Sequence, residues 1–228
     1  MLRVAAAAYD TVMSGVEQAG LLEWRAALLA DLTGSVLEVG AGTGRNLPLY
    51  PPGLDRLVLS EPDPHMRHRL SQAIERSRID RKVRGDVDIV DAPVEKLPFD
   101  DRSFDAVVCT LVLCSVPDQA HALGEMRRVL VEGGRLVFIE HVAASGQGRQ
   151  LLLQRCVEPL WRRVAGNCHL TRATESEILA AGFELPDVTH APMPKSPSFV
   201  RPTIHGVAMR PLGSDMSSAP PPSGNPQA

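Results

Sequence analysis

A glycine-rich turn is the strongest chemical signal in this sequence. It reads EVGAGTG from Glu38 to Gly44 and comes at the end of the short apolar stretch 35–39. Glycines let a backbone turn sharply and approach a ligand closely, and the N-terminus of a following helix attracts negative charge. The dinucleotide-binding fingerprint GxGxxG would need its last glycine at position 45, where this chain has Arg45. The turn therefore argues against a nicotinamide dehydrogenase and suits a cofactor that carries an ammonium and a carboxylate.

An acidic residue follows the next apolar stretch, about 20 residues beyond the first glycine of the turn. This residue is Glu61, directly after the segment 56–60. A carboxylate at that place in an α/β unit can accept hydrogen bonds from both hydroxyls of a ribose. A carboxylate near a helix N-terminus is also common without any ligand, because it interacts with the helix dipole. Glu61 together with the glycine turn favours a cofactor that contains a nucleoside.

The segments around these residues alternate between strand and helix patterns. Apolar stretches predict strands at 35–39, 56–60, 87–90, 104–110, 135–139, 183–190 and 204–210. Helical patterns lie at 9–32, from Pro64 onward, from Asp118 to Gly133-Gly134, at 150–164 with a break at Pro159, and at 175–181. This order predicts an α/β fold, a Rossmann-like and mostly parallel sheet of seven strands with helices on both faces. The last two strands flank a proline-rich loop and are expected to pair antiparallel at one edge.

Composition limits the class of protein. The chain has 228 residues, a formal charge of −3 and no basic block, so nucleic acid is not expected as a partner. No apolar run approaches the ~20 residues that cross a bilayer, and the opening MLRVAAAAYD has too little apolar length to predict a secretory signal. The four cysteines include no CxxC pair, and Cys168-His169 has no further ligand at a suitable spacing, so no metal site is predicted. We expect a cytoplasmic protein with one domain over 1–210 and a disordered tail at 211–228.

Four sequence blocks occur in an order and spacing that are typical of one family. They read LEVGAGTG, SEPDPHM, EKLPFDDRSFDAVVC and LGEMRRVLVEGGRLVFIEH and lie within residues 36–141. The chain resembles the class I S-adenosylmethionine-dependent methyltransferases of type 11, which implies S-adenosyl-L-methionine as the cofactor. Further blocks, VVCTLVLCSV, EHVAA and RPTIHGVAMR, resemble the alkyl thiol methyltransferases and their bacterial relatives, almost to Arg210. The animal members carry an N-terminal membrane-associating helix, which we do not expect here because the chain begins close to its core.

The resemblance implies which residues hold the cofactor. The glycine turn would surround its methionine part, together with Thr110 and Leu111 beyond the fourth strand. Glu61 would bind the ribose, and Pro62 and Met66 would lie near the adenine. The family often has an Asp two residues before the Glu of a DAExLPF segment; this chain reads PVEKLPF, so the Asp is missing and backbone groups would replace it. The full predicted set is Glu38, Gly40, Ala41, Gly42, Thr43, Gly44, Asn46, Glu61, Pro62, Met66, Val94, Glu95, Thr110 and Leu111.

Methyl transfer from a sulfonium is an in-line displacement, so alignment and exclusion of water are the main requirements. A thiol supplies some thiolate near its own pKa, whereas an amine or a phenol would need a His, Asp or Glu within reach. His141, after the fifth strand, is the predicted catalytic base, and a hydrogen-bonded structural histidine is the alternative. Further polar candidates in the C-terminal region are His169, Arg172, Arg201 and His205.

Substrate choice is expected to come from segments that other methyltransferases do not share. We predict an N-terminal helical lid at 1–33 and substrate-cap helices at 147–182, where the run LLLQRCVEPLW carries many apolar side chains. Packing of that run against the sheet edge is the alternative. The predicted pocket residues are Tyr9, Cys114, Trp161 and Arg172.

The sequence thus predicts an enzyme that methylates a small hydrophobic nucleophile, foremost a thiol. Methylation of oxygen or carbon in a quinone-like or phenolic metabolite, or of a lipid amine, stays open. A non-catalytic module that binds the cofactor or a partner also stays open, and the oligomeric state is undetermined.

Overall fold

A seven-stranded sheet forms the centre of the protein. The computed structural model describes residues 15–146 and 148–213. Its strands are β1 (Ser35–Val39), β2 (Arg56–Ser60), β3 (Val87–Val90), β4 (Phe104–Thr110), β5 (Leu130–His141), β6 (Glu184–Pro192) and β7 (Pro202–Met209). They lie in the order β3-β2-β1-β4-β5-β7-β6. The first five strands are parallel, and β7 runs antiparallel to both of its neighbours.

The predicted mostly parallel sheet is confirmed, and so is antiparallel pairing of the last two strands. The reversed strand is β7, which lies between β5 and β6, and β6 forms the edge. β7 pairs with β5 along its length, from Arg135 with Met209 to His141 with Thr203.

The described part of the chain has five α-helices. They are α1 (Leu22–Leu29), which a π-helical turn (Glu17–Leu21) precedes, α2 (Pro64–Ser77), α3 (Gln119–Val129), α4 (Arg149–Val164) and α5 (Thr174–Ala180). Helices α2 and α3 each begin after an aspartate N-cap. The Asp63 carboxylate accepts the N–H groups of His65 and Met66, and the Asp118 carboxylate accepts that of His121.

Two hydrophobic clusters, one on each face of the sheet, explain why the parallel strands are apolar throughout. Leu37 lies in a cluster with Met126 of α3 and Ile178 of α5. Its neighbour Val36 lies in the opposite cluster with Leu70 of α2. Since successive side chains of a strand point to opposite faces, a strand covered on both sides needs apolar residues at every position.

Two predicted helix features were wrong, an end at a glycine pair and a break at a proline. Helix α3 ends at Val129 rather than at the glycine pair, because β5 begins at Leu130 and includes both glycines. Gly133 has φ +74° at an irregularity in the pairing of β4 with β5, so these glycines serve a distorted strand rather than a helix end. Helix α4 continues through Pro159, which lies on its exposed side.

The terminal segments are only partly described. Residues 1–14, which include Tyr9, and residues 214–228 of the predicted tail lie outside the described residues. Leu21 of the π-helical turn packs against Ile139 and Met193, so this segment covers the carboxyl end of β5. Within the described residues, every helix falls short of the length and apolarity that crossing a bilayer requires.

Candidate active site

A cavity of about 410 Å³ opens beyond the carboxyl ends of β1, β2 and β4. Open α/β sheets bind ligands at this edge, where the strand order changes direction between β1 and β4. Eight of the predicted cofactor residues form part of its wall: Gly40, Gly42, Glu61, Pro62, Met66, Val94, Glu95 and Leu111. The wall also includes residues that the sequence analysis did not single out as site residues: Asp63, Pro93, Val112, Ser115, Val116, Pro117, Ala165 and Gly166.

The three glycines of the turn are required for different reasons. All three have positive φ, which favours glycine. A Cβ at Gly40 would lie 2.6 Å from Val112 Cγ2, and one at Gly44 would lie 2.6 Å from Leu47 Cδ1, so both positions are sterically closed. A Cβ at Gly42 would meet a single atom within 4 Å, the Gly40 carbonyl oxygen at 3.9 Å. Gly42 therefore presents open backbone to the cavity.

Glu61 joins the end of β2 to the glycine turn. Its Oε2 accepts the N–H of Gly42 at 2.9 Å, and its Oε1 accepts the N–H of Asp63 at 2.9 Å. Burial raises the pKa of Glu61, and the two backbone donors oppose that shift. The carboxylate is thus fixed at the cavity wall, in the place that would contact a ribose.

The wall fits S-adenosylmethionine on three observations. Gly42 leaves open space against bare backbone, where the amino-acid part of the cofactor can lie. Glu61 offers a carboxylate to the ribose hydroxyls. Glu95 lines the cavity with a buried Oε1 that has no hydrogen-bond partner, so it is an acceptor available to an N–H donor such as the adenine amine. The side chain of Glu95 can therefore supply the contact that the missing family Asp would make.

Glu38 lies behind the glycine turn, inside a buried polar network. It accepts the hydroxyl of Tyr50 at 2.6 Å and the amide N–H of Asn46 at 2.9 Å. Arg25 from α1 donates to Asn46 Oδ1 and to Thr110 Oγ1, both at 2.9 Å. Burial raises the pKa of Glu38 to about 7, although these donors lower it. The network ties the turn, β4 and the N-terminal helix together.

Glu140, at the end of β5, organises the loop after β4. Its carboxylate accepts three successive backbone N–H groups, those of Val112, Leu113 and Cys114, at 2.8–2.9 Å. Directly before them, Leu111 has φ +59°, a conformation that is costly for a residue with a Cβ. The buried carboxylate therefore stabilises a strained loop that forms part of the cavity wall, and burial raises its pKa.

Three of the predicted substrate-pocket residues lie together behind the wall rather than on it. Arg172 donates to the carbonyl oxygens of Leu113 and Val116, so its guanidinium holds the loop after β4. Cys114 is buried in that loop, in a cluster that Trp161 packs against. Arg172 thus contacts the loop backbone.

The predicted base is buried at the end of β5. His141 is not part of the cavity wall, and its Nδ1 is buried without a hydrogen-bond partner. Burial lowers the pKa of His141 to about 4, so the ring is neutral near pH 7. Among the other candidates, His205 stacks on Trp24 with ring centroids 4.5 Å apart, and Arg201 donates to the Ser196 carbonyl oxygen at 3.0 Å.

The remaining predicted residues lie close to the wall without forming it. They are Glu38, Ala41, Thr43, Gly44, Asn46 and Thr110. Sequence reasoning did not find Arg25, Tyr50 and Glu140, which fix the turn and the loop from behind. Glu140 directly precedes the predicted His141 in the sequence, so the EH pair at 140–141 is the local signal for it.

Comparisons with known proteins agree with this arrangement. A family profile described as a methyltransferase domain matches residues 37–138. The human thiol S-methyltransferase TMT1A is 38% identical over 176 residues, 77% of this chain and 70% of that protein. The rat thiol S-methyltransferase TMT1B is 36% identical over 187 residues, 80% of this chain and 75% of that protein. The N-methyltransferase NodS from Bradyrhizobium japonicum, solved with S-adenosyl-L-homocysteine, has a TM-score of 0.62 at 18% identity and covers 86% of this chain and 88% of its own.

A parallel sheet with β7 reversed, a glycine turn after β1 and an acidic residue after β2 define a class I methyltransferase. The relatives share more than a third of their residues with this chain over most of their length. The chain belongs to the class I S-adenosylmethionine-dependent methyltransferases. It is therefore an enzyme, and S-adenosyl-L-methionine is its cofactor.

Proposed function

We propose that this methyltransferase transfers a methyl group to the sulfur of a small hydrophobic thiol. The observation that carries the choice of sulfur is the likeness, over about three quarters of the chain, to two proteins named as thiol S-methyltransferases. The enzyme class is established by the fold and the relatives. The acceptor is our inference, and the chemistry of the cavity wall supports it.

The part of the wall formed by 111–117 and 165–166, which we name the acceptor end, is almost entirely apolar. It includes Leu111, Val112 and Val116, with Ser115 as its one hydroxyl side chain. Among the described residues of the wall, the acidic side chains belong to Glu61, Asp63 and Glu95, all outside the acceptor end. Such a surface favours an acceptor with an apolar body, because a charged group carried beside its sulfur would lose its hydration without a partner.

Among the described residues, the acceptor end has no side chain that could act as a base. The thiolate is a strong nucleophile, so the small fraction of a thiol that is ionised near neutral pH can react without an added base. A phenol with a pKa of about 10, or a lipid ammonium, would need a base within hydrogen-bond reach. Neither histidine nor lysine occurs among the described residues of the wall. The arrangement therefore suits sulfur better than oxygen or nitrogen.

The bound cofactor supplies a methyl group activated by a sulfonium. In our proposal Glu61 holds the ribose, Glu95 accepts from the adenine amine, and the backbone at Gly42 lies against the methionine part. The loop that Glu140 holds, together with the predicted cap at 147–182, excludes water and directs the acceptor sulfur. A cytoplasmic location belongs to the proposal as well, since the cytoplasm would keep the four free cysteines reduced.

The proposal is tested by offering methyl-labelled cofactor and one acceptor at a time to the purified chain. The acceptors are an alkanethiol, a phenol of similar size and phosphatidylethanolamine. We expect label on the thiol, at a rate that increases as the pH approaches the pKa of the thiol. The methyl ester of a mercaptocarboxylic acid and the free mercaptocarboxylic acid form a matched pair of thiols, of which the ester should be the better acceptor. Label found on the phenol or the lipid alone would contradict the choice of sulfur.

His141 remains a predicted catalytic residue and can be tested in the same assay. If the acceptor ionises by itself, His141→Gln should keep the wild-type dependence of rate on pH. If His141→Gln were instead slower than the wild type at pH values below the pKa of the thiol, with the affinity for S-adenosylhomocysteine unchanged, His141 would be identified as the base.

A further inference from the structure

Two buried cysteines from distant parts of the chain lie side by side behind the acceptor end. Cys114 belongs to the loop after β4 and is 1% exposed, and Cys168 follows α4 and is 6% exposed. Their thiols lie in one small buried cluster with Leu170 and Val200, close enough for a hydrogen bond between them. The backbone N–H of His169 donates to the Cys114 carbonyl oxygen at 2.7 Å, which fixes the preceding residue, Cys168, beside Cys114. Both cysteines are free.

The two thiols have different surroundings. The hydrogen bond with Cys114 lowers the pKa of Cys168, and Trp161 and the charge of Arg172 act in the same direction. The same hydrogen bond, together with burial, raises the pKa of Cys114. Cys168 is also the more exposed of the pair. It is therefore the thiol that ionises and meets a reagent first, and Cys114 is placed to react second.

We propose that Cys114 and Cys168 form an oxidative modification site, which takes a small organic disulfide as its oxidant and closes to an intramolecular disulfide. The Cys168 thiolate attacks one sulfur of the reagent, forms a mixed disulfide and releases one thiolate, which takes up a proton. Cys114 then loses its proton to solvent and attacks Cys168 Sγ, releasing the second thiolate. Two protein thiols are oxidised, and one disulfide is reduced to two thiols.

The new bond would join the two segments that form the acceptor end. Cys114 directly precedes the wall residues Ser115 and Val116, and Cys168 lies two residues beyond Gly166. An acceptor that enters between these segments needs them to separate, and a covalent link prevents that. The expected slowing of methyl transfer rests on the proposed function. The disulfide itself does not, because it is detected without any acceptor.

The experiment uses the full chain with Cys156→Ser, which removes the exposed cysteine that could link two molecules. The protein is incubated with mixtures of oxidised and reduced glutathione, free thiols are trapped with N-ethylmaleimide, and peptides are analysed by mass spectrometry. We expect loss of two trapped thiols and a peptide that links Cys114 to Cys168. The oxidised form should melt about 5–15 °C higher, because a disulfide across a long loop constrains the unfolded chain.

Single variants test the order of attack. Cys114→Ser should stop at a stable glutathione adduct on Cys168, and Cys168→Ser should acquire none on Cys114 at neutral pH. Cys109, buried elsewhere beside Glu140, should stay a free thiol throughout and is the internal control. Adducts on both cysteines without a link, or no reaction in the parent protein, would overturn the proposal.

Turnover is measured after reduction with a phosphine, since a dithiol reductant is itself a possible acceptor. We expect oxidation to lower turnover at least about fivefold and the phosphine to restore it. A linked protein with unchanged turnover would show that the disulfide forms but does not restrict the acceptor end. Absence of methyl transfer to any thiol in the reduced protein would contradict the proposed function alone.

Discussion

Replacing Gly42 with alanine tests the position of the cofactor most directly. The new methyl group would meet only the Gly40 carbonyl oxygen, at 3.9 Å, so the protein itself has room for it. The backbone has φ +59°, so the folded state should lose about 1–2 kcal/mol of stability, or about 2–8 °C in melting temperature. The methyl group occupies cavity space against which the cofactor must lie. If the added methyl group costs about 1–3 kcal/mol by overpacking against the cofactor, the cofactor should bind about 5- to 150-fold more weakly.

Two other glycines provide controls for Gly42→Ala. In Gly44→Ala the Cβ would lie 2.6 Å from Leu47 Cδ1 at φ +84°, so we expect a larger loss of stability, about 2–5 kcal/mol, with little change in the affinity of the folded protein. Gly124→Ala lies in α3 with no neighbour within 4 Å and should gain about 0.5–1 kcal/mol. Calorimetry with S-adenosylhomocysteine measures the affinity, and thermal unfolding measures the stability, so the two effects are separated. Wild-type affinity in Gly42→Ala, with only the expected loss of stability, would refute the proposed placement of the cofactor.

Three further carboxylates give distinct outcomes. Glu61→Gln should weaken the binding of S-adenosylhomocysteine by about 5- to 150-fold in calorimetry, because the ribose loses a charge-assisted hydrogen-bond partner. The same substitution at the exposed Glu75 should leave this affinity unchanged. Glu140→Gln should lower the free energy of unfolding by about 1–3 kcal/mol, because an amide cannot accept all three loop N–H groups, and turnover should fall with it. The pKa of Glu38 is about 7 in the folded protein and 4.5 ordinarily. Between pH 4.5 and pH 7 the folded state therefore keeps a proton on Glu38 that the unfolded chain has released. The contribution of Glu38 should therefore fall by about 3 kcal/mol as the pH rises through that window, and denaturant unfolding of Glu38→Gln should lack this dependence; an unchanged profile would contradict it.

The positions of the first four strands could be predicted closely because each is a short apolar run with a clear boundary. Glycine, proline or an acidic residue ends the runs at Val39 and Ser60, and the strands end where predicted. The boundary between α3 and β5 could not be predicted in the same way, because Val129 and Leu130 are apolar and suit either a helix or a strand. Pairing with β4 and β7 decides it, and that pairing is not a local property of the sequence.

The same distinction between local and distant contacts explains which site residues were found. Gly42 and Glu61 belong to short motifs, and both lie on the cavity wall. Arg25 belongs to no motif, and it reaches Asn46 and Thr110 across 21 and 85 residues of chain. Spacing carries no information about such contacts, so a long-range buried network is visible only in three dimensions.

Two acidic residues of the motifs differ in whether their carboxylate oxygens are already hydrogen-bonded within the protein. Glu38 has both carboxylate oxygens occupied by Tyr50 and Asn46, and it lies behind the wall, whereas Glu95 keeps an unpartnered oxygen at the wall. Glu38, the acidic residue of the glycine motif, therefore fixes the shape of the turn. Glu95, in the segment where the family Asp is missing, offers the acceptor that a ligand can use. Since Arg25 bridges the network from the N-terminal helix, displacement of that helix would disturb the glycine turn from behind, even though none of its described residues lines the cavity.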